Sequence, residues 1–309
     1  MLGLTNAAFD AIARKNPAAS MSVWRDGQPV LQRVTGNSID GKPTTSDSPM
    51  VVASVSKLIT AALVGRLDGA GLLEIDAAVP WGRLAVAADP AWNGVTVREL
   101  LDHTSGMPVV RSSWFDEPGD CASYLATLLA QPPQPHRGRW TYSNGNYCAL
   151  GLLVEATTDL ALDTAAQRIL FDPLMADGIH LTTDGQRPTD IAYAEGVARL
   201  SRLGGAGTFI VSTDDLAAMV SAAGIAEREA WQWPGVMIDQ YGWGHTGTVD
   251  GAKSCVWVLE GGRTVLAATV AGNAPSTGGA ICDAVVPALF HDLSGALSFD
   301  LGRPDRTPP

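Results

Sequence analysis

Positive charge is scarce in this 309-residue sequence, and lysine is scarcer still. Lysine and arginine together number 21 against 32 aspartates and glutamates, a formal net charge of −11. Only four of those basic residues are lysines (Lys15, Lys42, Lys57 and Lys253), and nowhere do basic residues form a run. A surface of that sign repels phosphate backbones and acidic headgroups, so neither nucleic acid nor a membrane surface is expected as a partner. No uninterrupted apolar stretch is long enough for a membrane span. The first twenty residues lack the basic start and apolar core of a secretory signal. The compartment therefore stays open: extracytoplasmic if an export signal has been removed, otherwise cytoplasmic.

Cysteine is sparse too. Cys121, Cys148, Cys255 and Cys282 form no C-x-x-C and no spacing typical of zinc, so no metal is expected. An even count permits Cys121–Cys148 and Cys255–Cys282 bridges in an exported protein; four buried thiols is the other reading. Several hydrolase signatures are missing as well. There is no G-x-S-x-G nucleophile elbow, no H-E-x-x-H zinc helix and no phosphate-binding loop. What remains is an ordinary globule, 46% hydrophobic and 17% charged, long enough for one large domain or two intimately packed ones.

The pattern along the chain changes character twice. Thr5 to Lys15 has helical spacing and stops at Asn16-Pro17. Ala19–Trp24 and Pro29–Thr35 flank Asp26-Gly27, the signal of a hairpin with a type I′ turn. Near the other end, Gly244–Thr248, Ser254–Leu259 and Thr264–Ala271 read as three further strands, followed by a helix over Gly279–Leu293. Between these lie helical stretches at Ser56–Asp68, Thr96–Asp102, Ala122–Ala130, Asn146–Thr157 and Thr164–Leu170. Another starts at Ser212 with Asp215. Thr96 with Glu99 has the form of a capping box. The expected fold is α/β (α+β): an antiparallel five-stranded sheet flanked by helices and built from both chain ends. Residues 1–48 and 205–309 would form the sheet part, and 49–204 an inserted, mainly helical part. The cleft between them is the expected site.

Three short stretches carry chemistry. Ser54-Val55-Ser56-Lys57 is S-x-x-K, which on a helix sets the two functional groups one turn apart on one face. A serine needs a nearby base to become a nucleophile, and a lysine serves if its pKa is lowered. Arginine cannot give up its proton. One of only four lysines, three residues after a serine, therefore points to proton transfer. Tyr142-Ser143-Asn144 follows Trp140: a tyrosine beside a lysine can ionise below its usual pKa of about 10 and act as acid or base. Asn144 is a candidate for holding a substrate amide. His245-Thr246-Gly247 falls on a strand. His245 is expected to keep the site electropositive or to bond Tyr142, and Gly247 to let a substrate approach the strand edge. The backbone N–H groups of Ser54 and Thr248 are the expected oxyanion donors.

In this order and setting the three stretches resemble the serine β-lactamase and penicillin-binding-protein superfamily. The closest likeness is to the branch of class C β-lactamases, D-Ala-D-Ala carboxypeptidases and family VIII esterases. Val95-Thr96-Val97-Arg98-Glu99-Leu100-Leu101-Asp102-His103-Thr104-Ser105-Gly106-Met107-Pro108 looks like a signature of that family. So does the stretch from Gly205-Ala206-Gly207 to Ser212-Thr213-Asp214-Asp215-Leu216. The resemblance runs from about Ala18 to Asn273. It implies an acyl-enzyme on Ser54, proton transfer by Lys57 and Tyr142, substrate binding by Asn144 and by the strand His245-Thr246-Gly247, and no cofactor. His103-Thr104-Ser105-Gly106 echoes the strand motif but precedes the tyrosine motif, and reads as a structural turn.

Three functions fit these residues. The first is D-Ala-D-Ala carboxypeptidase or β-lactamase-like amide hydrolysis, on a small molecule such as a β-lactam or on a short peptidoglycan stem peptide. The second is a short-chain carboxylesterase. The third is a penicillin-binding or sensing module that acylates without efficient turnover. His245, where many β-lactamases carry lysine, weakens the case for antibiotic hydrolysis, because histidine is mostly neutral at pH 7. Trp140, Trp231, Trp233 and Trp243 are candidates to line an acyl or leaving-group pocket.

Overall fold

The computed structural model describes residues 2–38, 41–109, 119–174, 180–181, 197–222 and 236–300. Helix α1 (Gly3–Ala13) ends just before Asn16-Pro17 and hands over to the hairpin of β1 (Ala18–Arg25) and β2 (Gln28–Gly36). Asp26 and Gly27 take φ values of 50° and 74°, the left-handed pair that a type I′ turn needs. A two-residue strand, β3 (Met50–Val51), leads to α2 (Ser56–Gly69). Next come α3 (Val97–Leu101), α4 (Cys121–Leu129), α5 (Asn144–Thr158) and α6 (Leu162–Ala166), the last continuing as a π-helical turn to Phe171. Thr96 and Glu99 form the expected capping box on α3, and Asp120 with Ser123 forms another on α4.

After β4 (His180–Leu181), β5 (Phe209–Val211) and α7 (Thr213–Ala222) the chain returns to long strands. These are β7 (Gly242–Val249), β8 (Ala252–Leu259) and β9 (Thr264–Ala271), preceded by a short β6 (Met237–Ile238). They are followed by α8 (Gly279–Asp300). The principal sheet is antiparallel in the order β2-β1-β9-β8-β7-β6, so strands from both chain ends meet where β1 pairs with β9. It has six strands where the sequence predicts five. The extra one, β6, has only two residues and shows no alternation to read. A second, small sheet of β3, β5 and β4 was likewise hidden by its brevity.

Every residue of β8 and β9 is buried, because helices cover both faces of the sheet. On one face α1 and α8 pack through Phe9, Ile12, Ile281, Val285 and Leu289 onto Met21, Val23, Trp257 and Leu266. On the other face Val256, Val258, Val265 and Ala267 belong to the same apolar cluster as Val55, Leu58 and Ile59 around α2. Helix α7 lies there too, and its first turn satisfies the polar side of β1: Ser22 and Trp24 both donate to Asp214, at 2.5 and 2.8 Å. The cysteines form two bridges, Cys121–Cys148 between α4 and α5 and Cys255–Cys282 between β8 and α8. Among the described residues no helix is long and apolar enough to cross a membrane.

Candidate active site

Ser54 is delivered by a strained turn. The Val52 carbonyl accepts from Ser254 Oγ (2.6 Å) on β8, and the Phe209 N–H on β5 donates to Ser56 Oγ (3.1 Å). Between these anchors Ala53 takes φ 48°, a left-handed conformation costing a non-glycine residue about 1 kcal/mol or more. The turn Ala53–Val55 then runs directly into α2, which places Ser54 at the positive end of a fourteen-residue helix. The strain is tolerated because the surrounding strands hold both sides of the turn.

Lys57 is 1% exposed. Its Nζ has three neighbours: Asn144 Oδ1 at 2.8 Å, the Ala206 carbonyl at 2.7 Å and Ser54 Oγ at 3.3 Å. Burial pushes its pKa well below the usual lysine range. A neutral amine has two N–H bonds and one lone pair. The amide and backbone oxygens can only accept, so they take the two N–H bonds and the lone pair is left for the Ser54 hydroxyl. Burial therefore favours the base form of Lys57, and in that form the geometry turns its lone pair toward Ser54.

Tyr142 donates from its hydroxyl to Ser54 Oγ at 2.9 Å. Lys57 Nζ sits 4.9 Å from the ring centroid rather than on the hydroxyl. Burial raises the phenol pKa to about 12, the bond to Ser54 opposing only part of the shift. The ionised tyrosine expected from the sequence is therefore corrected to a protonated phenol: a lysine that is itself neutral has no charge with which to stabilise a phenolate. Helix α5 begins at Asn144, two residues earlier than the spacing suggests, because Ser143 Oγ caps the Gly145 N–H. That start puts Asn144 in the first turn, facing Lys57. Its Oδ1 is occupied by the lysine, leaving its NH2 to donate elsewhere.

The strand motif lies on β7, and two expectations about it change. His245 is buried, and desolvation above all lowers its pKa to about 3. It is neutral, with Nδ1 donating to the Thr246 carbonyl at 2.7 Å, so it supplies no positive field. The Tyr142 hydroxyl donates to Ser54 instead of bonding His245, whose ring lies 6.4 Å from the phenol ring, centroid to centroid. Gly247 serves packing rather than substrate access: a Cβ there would run into the Val52 carbonyl and Ser254 Oγ. Lacking one, β7 can lie against the turn that bears Ser54.

The position of Thr248 follows from register. Strands β7 and β8 close on the pair Val249–Ala252 around Asp250-Gly251. A two-residue hairpin closes on a hydrogen-bonded pair and the next pair is not bonded, so the Thr248 N–H faces away from β8. Strand β6 pairs only with Trp243 and Gly244, and the edge beyond has no strand partner among the described residues. Trp140 is 67% exposed beside Tyr142, whereas Trp243 is buried in the core. Trp231 and Trp233 lie outside the described residues.

Sequence reasoning missed the Ala206 carbonyl, since a backbone acceptor has no side-chain signature. The glycines before it were the available signal. Gly204 takes φ 48°, and at Gly205 a Cβ would meet the Tyr147 carbonyl and Thr60 Oγ1 at 2.7 and 2.8 Å.

Fold and site together define the class: an α/β fold with a buried lysine beside a serine at a helix start. A family profile described as Beta-lactamase matches residues 6–286, and this chain belongs to that family. Among curated proteins it is similar to penicillin-binding protein 4 of Amycolatopsis lactamdurans, 33% identical over 56% of this chain and 46% of that protein. It is also similar to esterase/beta-lactamase LipL of Mycobacterium tuberculosis, 27% identical over 57% of this chain and 41% of that one. The matches thus span less than half of either relative. Among solved structures, SurE with D-Leu superposes with a TM-score of 0.75 at 25% identity, over all of this chain and 78% of SurE. A D-stereospecific amidohydrolase from Streptomyces shares the fold, with a TM-score of 0.72 at 22% identity over 92% of this chain and 98% of that one.

Proposed function

We propose that this protein hydrolyses small esters or amides through an acyl-enzyme on Ser54, and that an uncharged group flanks the scissile carbonyl. The carrying observation is the burial of Lys57 against two obligate acceptors, so that the neutral amine has its lone pair left for Ser54 Oγ. In this reading Lys57 takes the Ser54 proton as Oγ bonds to the substrate carbonyl carbon. The Ser54 and Thr248 N–H groups receive the developing oxyanion. When the bond to the leaving group breaks, Tyr142 gives that group its phenolic proton and is reprotonated from the Lys57 ammonium. Water then attacks the acyl carbon, its proton leaving through the same groups and returning Ser54 to its hydroxyl.

The neutral state of His245 supports an uncharged recognition group over a carboxylate, since a charged partner would need a cation at this strand. The relatives are named for esterase, β-lactamase and penicillin-binding activities, and two of the structural neighbours are named D-stereospecific amidohydrolase and D-amino acid amidase. A short acyl ester or an amino-acid amide therefore ranks ahead of a β-lactam or a stem peptide ending in a free carboxylate.

The test compares turnover of p-nitrophenyl butyrate, a D-amino-acid amide, a chromogenic cephalosporin and a D-Ala-D-Ala peptide, with intact mass recorded in each case. Ester or amide turnover well above that of the carboxylate-bearing pair is expected, with the acyl adduct absent from Ser54→Ala. Ser54→Ala within about tenfold of wild type, roughly 1.4 kcal/mol in the barrier, would remove the nucleophile assignment. Lys57→Arg should be nearly as damaging, because it keeps the charge and loses the lone pair.

A further inference from the structure

We infer that His103, outside the three catalytic stretches, is the positioning residue for Tyr142, clasping that tyrosine's backbone on both sides and its ring face. The inference rests on Tyr142 acting on Ser54 as proposed above. His103 stands at φ 57° immediately after α3, a left-handed conformation uncommon for a side chain of its size. That backbone turns its carbonyl to accept from the Thr141 N–H at 2.8 Å and its ring Nδ1 to accept from the Ser143 N–H at 3.3 Å. The residues on either side of Tyr142 are thus tied to a single histidine. The imidazole lies 4.7 Å from the Tyr142 ring, centroid to centroid, and 5.2 Å from that of Tyr147.

The ring's protonation state is fixed by its partners. A backbone N–H can only donate, so Nδ1 must carry a lone pair. Asn146 Nδ2 donates to the same atom at 3.0 Å, its amide oriented by Ser105 Oγ donating to Asn146 Oδ1 at 2.6 Å. The opposite nitrogen then bears the hydrogen. Burial above all lowers the His103 pKa to about 3, so the acceptor persists at any working pH. The same turn reaches back a second time: Ser143 Oγ donates to the Pro108 carbonyl at 2.6 Å. Residues 103–108 thus form a buttress under the tyrosine turn, which gives His103-Thr104-Ser105-Gly106 a purpose that its likeness to the strand motif does not.

Loss of the clasp leaves Ser54, Lys57 and the strand in place and lets the phenol drift. A displacement of about 1 Å typically costs on the order of 100-fold in rate, so His103→Leu should lower kcat by roughly 30- to 100-fold with little change in KM. In a Tyr142→Phe background the same substitution should cost less than about threefold, because its route to the reaction is already gone. A merely structural residue gives the same loss in both backgrounds, and that result overturns the inference. Should Tyr142→Phe retain full rate, the proposed role of Tyr142 fails instead, which keeps the two failures distinct. If His103→Leu does not fold, His103→Asn and His103→Gln are compared. Asn places an oxygen where Nδ1 stands and tolerates left-handed φ, whereas Gln does not present that acceptor, so Asn should exceed Gln in kcat by about tenfold. Equal rates for the pair overturn the inference.

Discussion

Lys57 destabilises the fold by its burial, and the proposed chemistry depends on that same burial. In the unfolded chain its amine is protonated up to about pH 10.5, whereas in the fold burial holds its pKa well below that value. Between those two values the unfolded state carries one proton more than the native state, so stability must rise with pH there, by about 1.4 kcal/mol per pH unit. Below the native value both states are protonated and the slope vanishes. Urea unfolding of wild type and Lys57→Met is expected to give curves that run parallel below the native pKa and converge toward high pH. The point where they become parallel reads the native pKa. Parallel curves throughout would mean a charged lysine in the fold and would end its role as base. Ser54, Lys57, Tyr142 and Asn144 were legible in the sequence because each brings a side-chain chemistry at a spacing that a helix or a turn turns into proximity. The charge states were not. The tyrosine and His245 look ionisable as letters, and only three-dimensional burial makes one a persistent phenol and the other a neutral ring.

At the scale of elements, the hairpin, the long strands and the capped helices could be read because each is set by local rules: paired left-handed residues at Asp26-Gly27, apolar runs in β8 and β9, and a reciprocal cap at Thr96 and Glu99. Strands of two residues could not, since pairing partners distant in sequence define them. Gly247 belongs with the second group. Its meaning lies in a contact between β7 and the Ser54 turn, and a sequence shows a glycine in a strand without showing what presses on it. Gly247→Ala forces a methyl group into the Val52 carbonyl and Ser254 Oγ, with the Ala53 Cβ 3.1 Å away. Backbone held by β5 and β8 cannot yield as a flexible side chain can, so β7 must move off the nucleophile turn. The expected result is a drop in kcat/KM on the order of 100-fold, from the oxyanion donors parting. Gly82→Ala, where a Cβ meets nothing and the backbone is not left-handed, is the control for a glycine outside the site. A Gly247→Ala enzyme within threefold of wild type would show that the two donors do not depend on this contact.

At the scale of the whole molecule, the two disulfides make a natural comparison. The sequence left bridges and free thiols equally open, because pairing depends on distances between elements that no spacing reveals. Each bridge closes a loop with a sequence separation of 27, so chain entropy assigns them the same stabilisation, about 3–4 kcal/mol apiece. Their surroundings differ. Cys255–Cys282 staples α8 to β8 on the sheet face away from Ser54, inside an apolar core. Cys121–Cys148 joins α4 to the helix that begins at Asn144, and a Cβ added at Gly204 would lie 2.7 Å from Cys121 Sγ, two residues ahead of the carbonyl that accepts from Lys57. Both of the lysine's acceptors are therefore anchored close to the first bridge and neither to the second. Replacing either cysteine pair with alanines should lower Tm by a similar amount, of the order of 5–10 °C for a chain of this size. Only the Cys121→Ala/Cys148→Ala enzyme should also lose kcat, by about tenfold at 25 °C, with the acid limb of its pH–rate profile displaced as the lysine's acceptors relax. Equal activity in the two double variants at matched folded fraction would show that the bridge near α5 stabilises the fold without setting the base.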